Sequence, residues 1–122
     1  MTIEERLISV VDDDESMRES LPDLLRMLGF DVQAFSSANE FLQSPWIKKT
    51  ECLILDVAMP RVSGPELHRE LNRRGEVIPV VFITAQRDER SRGPLINQGA
   101  VECLFKPFSG DELRDALRLV FK

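Results

Sequence analysis

Two cysteines and one histidine are all that the 122-residue sequence offers in thiolate and imidazole metal ligands. Cys52 and Cys103 each lie inside an apolar run, with no CxxC pair and no histidine at ligand spacing. That pattern excludes a zinc site and a redox pair, and leaves buried free thiols as the expectation. No apolar stretch approaches the roughly 20 residues that a membrane-spanning helix needs, and the opening MTIEERLISV has neither the basic flank nor the apolar run of a signal peptide. A cytoplasmic protein without a membrane segment is expected. Positive charge is in deficit as well, with 16 basic against 21 acidic residues and a net charge of −5. No overall basic field remains to hold nucleic acid, so direct DNA binding by this chain is not expected.

What is present is the composition of an ordinary globular protein, 43% hydrophobic and 30% charged. This length closes one core but not two, so a single domain over residues 1–122 is expected. Short apolar runs alternate with segments of helical period. Leu7 to Val11 has the look of a fully buried strand, and Met17, Leu21, Leu24, Leu25 and Leu28 then share a helix face that ends at Gly29. Val32 to Phe35 is a weaker, alternating strand, followed by a helix around Ser37 to Gln43 that Ser44-Pro45 stops. Cys52 to Leu55 is the third strand and Pro65 to Arg74 the third helix, with Pro65 suited to its first turn. Val80 to Ile83 and Val101 to Phe105 follow as strands. A last helix starts at Ser109, where Ser109 and Glu112 fit a capping box.

Strict alternation of buried strands with helices predicts an α/β fold, a doubly wound, five-stranded parallel sheet with helices on both faces. Ligands of such sheets bind beyond the carboxyl ends of the strands, where strand order reverses. Those ends are chemically loaded here: Asp12-Asp13 after the first strand, Asp56 after the third, Thr84 after the fourth and Lys106-Pro107 after the fifth. In the order 2-1-3-4-5 the loaded strands are consecutive, so three carboxylates, a hydroxyl and an ammonium converge on one edge. Close carboxylates raise one another's pKa unless a cation offsets them. Oxygen-only ligands suit Mg²⁺, Lys106 and Thr84 suit phosphoryl oxygens, and an Asp in this setting can itself be the nucleophile.

Over nearly its whole length the sequence resembles a response-regulator receiver domain of two-component signalling. The resemblance is carried by VVDDDESMRESL, LDVAMPRVSGPEL, IPVVFITA and GAVECLFKPF, and AFSSANEFL resembles the FixJ-like subfamily. It implies a flavodoxin-like three-layer sandwich with strand order 2-1-3-4-5. It further implies that Asp56 is the phosphoacceptor, that Asp12, Asp13, Asp56 and the Ala58 carbonyl hold Mg²⁺, and that Thr84 and Lys106 meet the phosphoryl group, Lys106 preceding a proline that is cis in the family. The donor would be a sensor histidine kinase, and the domain would be a switch rather than an enzyme. Output, and a homodimer, would use the face of helix four, strand five and helix five. Ala58 and Gln86 sit at positions that tend to tune phosphoryl lifetime in the family. FixJ-like proteins usually continue into a helix-turn-helix DNA-binding domain; the sequence ends at Lys122, so a stand-alone regulator and an excised receiver are both open.

Two departures fall on the output face. Receivers usually carry Tyr or Phe where Cys103 stands, three residues before the Lys. Gly93-Pro94 interrupts the segment of helix four, where an interior Pro costs about 3 kcal/mol and a Gly about 1, so a short, broken or displaced helix is expected.

Blander readings compete with these. Asp14 is read as a helix cap rather than a ligand. His68, among charged neighbours, is expected to be a solvated surface residue, as is the run Arg87 to Arg92, and Trp46 a packing or partly exposed loop residue. A haloacid-dehalogenase-type phosphatase also uses a strand-end Asp, but needs a second Asp where Ala58 stands. A dinucleotide module needs a Gly-rich phosphate loop where this chain has acids. A degenerate receiver that serves as a phosphorylation-independent interaction module is the remaining alternative.

Overall fold

The computed structural model describes residues 6–85 and 89–121. Its elements are β1 (Leu7–Val11), α1 (Glu15–Met27), β2 (Asp31–Phe35), α2 (Ala38–Leu42), a 3₁₀ turn (Ile47–Lys49), β3 (Cys52–Asp56), α3 (Gly64–Arg73), β4 (Val80–Thr84), α4 (Glu89–Asn97), β5 (Glu102–Phe105) and α5 (Gly110–Val120). All strand pairings are parallel, in the order β2-β1-β3-β4-β5. This is the predicted doubly wound sheet.

Strand composition follows position in the sheet. β3 and β4 lie inside it and are buried at every residue, so neither can alternate polar with apolar. β2 is an edge strand of mixed burial, with Val32 and Phe35 buried and Asp31 and Ala34 exposed, which is why its sequence pattern is weak. Successive side chains then feed opposite cores. Ile8, Val10, Cys52, Ile54, Val81, Ile83 and Leu104 pack beneath α1 and α5 with Leu21, Leu25 and Leu113. Val11, Leu53, Leu55, Val80, Phe82 and Cys103 pack on the other face with Phe41, Leu67, Leu71 and Leu95. Neither cysteine is in a disulfide and both are buried, and burial pushes the Cys52 thiol up to about 12.

Local signals start the helices. Asp14 caps α1, accepting from the Ser16 backbone N–H, which confirms its structural reading. Ser109 and Glu112 form the predicted capping box of α5, and Ser63 and Glu66 form a second one at α3 whose S-x-x-E spacing is equally plain in the sequence.

Two expectations are corrected. Among the described residues the fourth helix is not broken: α4 stays helical from Glu89 to Asn97, through Gly93 and Pro94. Pro94 cannot donate to the Arg90 carbonyl, yet its ring faces solvent, Leu95 anchors the helix in the core, and Gly99 at φ +116° closes its end. α1 likewise runs through Pro22. His68 is not solvated; it is 3% exposed. It lies on the inward stripe of α3 with Gly64, Leu67 and Leu71, while its charged sequence neighbours point outward. Trp46 packs partly buried against the core, as expected. Arg87 and Gln86 lie outside the described residues.

Candidate functional site

The sheet delivers the site residues and its hydrogen bonding continues into them. Asp12 directly follows β1, Asp56 ends β3, Thr84 ends β4 and Lys106 directly follows β5. Past the strand ends, Asp12 N donates to Phe35 O at 3.1 Å, Val57 N to Ile83 O at 3.0 Å, and Lys106 N to Thr84 O at 2.7 Å. The backbones bearing the reactive side chains are therefore as rigid as the ladder itself. Asp12, Asp56 and Thr84 are buried, whereas Asp13 is exposed.

Lys106 crosses the cluster. Its Nζ lies 3.0 Å from Asp12 Oδ2 and 3.4 Å from Asp56 Oδ1. The second Asp12 oxygen, Oδ1, accepts from the Asp14 backbone N–H at 2.9 Å. Arg18, on the first turns of α1, donates from Nη1 to the Asp12 carbonyl at 2.9 Å. Asp12 is thus held by a loop amide, a helix guanidinium and a strand-end ammonium. The role of Arg18 has no sequence signal, because one basic residue near a helix start looks like ordinary surface charge.

Burial, then the charge of Asp12, pushes the Asp56 carboxyl up to about 7, against the pull of Lys106. Burial works against the Lys106 ammonium, but its hydrogen bond to Asp12 and the charges of Asp12 and Asp56 prevail and hold its pKa above the ordinary value. One Lys does not neutralise three acids. Each of Asp12, Asp13 and Asp56 offers a carboxylate oxygen within 4.8 Å of the other two, with Asp13 open to solvent. This all-oxygen set fits a small hard divalent cation.

The loop after β3 frames the cluster. Ala58, two residues past Asp56, is exposed. Gly64 N donates to the Val57 carbonyl at 2.9 Å, and a Cβ on Gly64 would meet the Asp56 carbonyl oxygen at 2.2 Å. Only glycine lets α3 begin so close to the Asp56 backbone. The structure therefore joins Asp12, Asp13, Asp56 and Lys106 directly, with Thr84 at the end of the adjoining strand and Ala58 in the flanking loop. Arg18 and Gly64 are additions that the sequence reading did not make.

Comparison with known proteins gives the family and the fold. The family described as "Response regulator receiver domain" matches residues 8–118. Nodulation protein W of Bradyrhizobium diazoefficiens is 45% identical over 111 residues, covering 91% of this chain and 49% of that protein. The transcriptional regulatory protein FixJ of Azorhizobium caulinodans is 37% identical over 111 residues, covering 91% of this chain and 53% of that protein. The crystal structure of FixJ-N matches with a TM-score of 0.85 at 32% identity, over 97% of this chain and 94% of that one. The chain spans about half the length of these curated relatives.

Proposed function

The chain belongs to the response-regulator receiver domain family, and on that premise we propose that Asp56 is its phosphoacceptor, with Asp12 and Asp13 as metal ligands and Lys106 and Thr84 as phosphoryl contacts. The observation that carries this reading is the Lys106 ammonium reaching both Asp12 and Asp56 at the carboxyl edge of the sheet. An Asp56 oxygen attacks the phosphorus of a phosphohistidine on a sensor histidine kinase. The new P–O bond forms as the P–N bond breaks, and the imidazole nitrogen leaves with the electron pair.

Lys106 exchanges part of its contact with Asp56 for a phosphoryl oxygen, and the Thr84 hydroxyl donates to another. Asp12, Asp13, Asp56 and the Ala58 carbonyl would hold Mg²⁺, which when bound supplies the positive charge that keeps Asp56 ionised and offsets the incoming phosphoryl charge. Next to Lys106, a groove of about 450 Å³ lined by Met17, Leu21, Leu24, Pro107 and Phe108 suits the apolar surface of a docking kinase.

The domain then acts as a switch, and its readout is the face of α4, β5 and α5, by which two copies pair. Residues 1–122 make one such receiver unit. The acidic chain makes no direct contact with DNA; a DNA-binding domain elsewhere in a longer protein does so, as the half-length match to transcriptional regulators suggests. No helix among the described residues is long and apolar enough to cross a membrane, in keeping with work in the cytoplasm beside the kinase.

Beryllofluoride tests the site apart from phosphoryl chemistry. With Mg²⁺ present, ¹⁹F NMR should show bound fluoride resonances in the wild type, none in Asp56→Asn, and at least tenfold weaker binding in Lys106→Ala. Undiminished binding in Asp56→Asn would refute the assignment.

A further inference from the structure

One buried titratable group plays no part in the acidic site. His68, 3% exposed, meets two elements besides its own helix. Its ring stands edge-on to Phe82 of β4, with centroids 5.7 Å apart and planes at 67°. Its Nδ1 lies 3.0 Å from Nε2 of Gln98, the residue that follows α4. Gln98 has two further partners on α3. Its Nε2 is 3.1 Å from the Pro65 carbonyl oxygen, and its Oε1 is 2.9 Å from Arg69 Nη1.

These contacts determine the protons. A guanidinium only donates and a carbonyl only accepts, so the Gln98 amide has one workable orientation, with its oxygen on Arg69 and its nitrogen on Pro65. The remaining Nε2 hydrogen points at His68, so Nδ1 must present a lone pair. The ring is then neutral with its proton on Nε2. A second proton on Nδ1 would set two donors against each other, and flipping the amide would forfeit both other bonds. We propose that His68, Gln98 and Arg69 form a pH-sensitive latch that pins the end of α4 to α3, closed while the His68 ring is neutral and released when it becomes a cation.

The surroundings agree. Burial first, and then the charge of Arg69, hold the ring's pKa below the ordinary histidine value. From β4 the ring meets Phe82, which does not titrate, and a Cβ placed on Gly99, in the turn after α4, would lie 3.9 Å from its Cε1. Phe82 also lies two residues before Thr84 on the same side of β4 and pairs with Cys103 of β5. The latch therefore fastens α4 from the α3 side of a core in which the strand five position offers no aromatic ring. It does not rest on the phosphoacceptor reading.

Release must follow the sign of the linkage. Because the native pKa is the lower one, the open fraction grows as pH falls below about 6.5, by up to tenfold per unit, and levels off below the native pKa.

His68 is the chain's single histidine, so its ring resonances need no assignment by mutation. Long-range ¹H–¹⁵N spectra of the 122-residue chain at pH 7.5, without metal or phosphodonor, should show a bare Nδ1 and a protonated Nε2. Between pH 7.5 and 5 the Gln98 and Gly99 amide resonances should move with the ring's midpoint, and Gln98→Met should abolish that shared movement. Repeating the titration in Asp56→Asn removes the other group that titrates near neutrality, and the α4 response must persist. A proton on Nδ1 at pH 7.5, or a ring that titrates while Gln98 and Gly99 stay still, would overturn the latch.

Discussion

As the proposed phosphoacceptor, Asp56 combines two demands that pull against each other: a nucleophile must be ionised, yet burial and the charge of Asp12 push this carboxyl up to about 7. An unfolded aspartate titrates near 3.9. Between those values the native chain holds a proton that the unfolded chain has lost, so stability falls as pH rises through that window and the loss is complete above pH 7. Metal-free Asp56→Asn should therefore be more stable than wild type at pH 8, by on the order of 1 kcal/mol in urea unfolding. The difference should shrink towards nothing near pH 4, and an equal gain at both pH values would speak against a raised Asp56. A second residue-scale consequence concerns Gly64. A methyl group there would force the start of α3 away from the Asp56 carbonyl, so Gly64→Ala should cost about 1–3 kcal/mol in the same measurement. Asp12, Asp56, Thr84 and Lys106 were legible in the sequence because each interrupts or ends an apolar run. Gly64, Arg18 and Gln98 were not, because each acts through a contact made only in three dimensions.

Among the elements, α4 shows where propensity misleads. Gly93-Pro94 counts heavily against a helix, yet tertiary anchoring by Leu95, the Gly99 turn and the Gln98 contacts to α3 holds nine residues in one. At its other flank Arg92 pairs with Glu102 of β5, whose Oε1 also accepts from the Cys103 backbone N–H at 2.9 Å. The propensity cost remains and can be relieved. Gly93 is exposed and a Cβ there meets nothing within 4 Å, so Gly93→Ala should stabilise α4 by about 0.5–1 kcal/mol. Slower amide exchange across α4 would record that gain, and faster exchange would mean that the helix depends on flexibility at Gly93. His68 illustrates the converse error, in which neighbours in sequence were taken for neighbours in space.

At the scale of the whole molecule, strand order does the decisive work. Placing β1 between β2 and β3 makes the four loaded strands consecutive, so acids that are far apart in the sequence converge on one edge while each strand remains apolar inside. That architecture was legible because parallel sheets buried on both faces demand near-continuous apolar strands. Which interior polar residues pair was not, since a hydroxyl such as Ser9, 2.7 Å from the Thr50 hydroxyl, leaves the strand pattern unchanged. On the proposed reading the converged edge makes Asp56 a phosphoacceptor. That reading is tested most directly by intact mass after incubation with Mg²⁺ and acetyl phosphate, alongside Asp56→Asn and an EDTA control. One phosphoryl group is expected on the wild type and none in either control. An adduct that survives in Asp56→Asn, or no adduct on a wild type that also fails to bind beryllofluoride, would contradict that reading and leave a receiver fold that serves as a phosphorylation-independent interaction module.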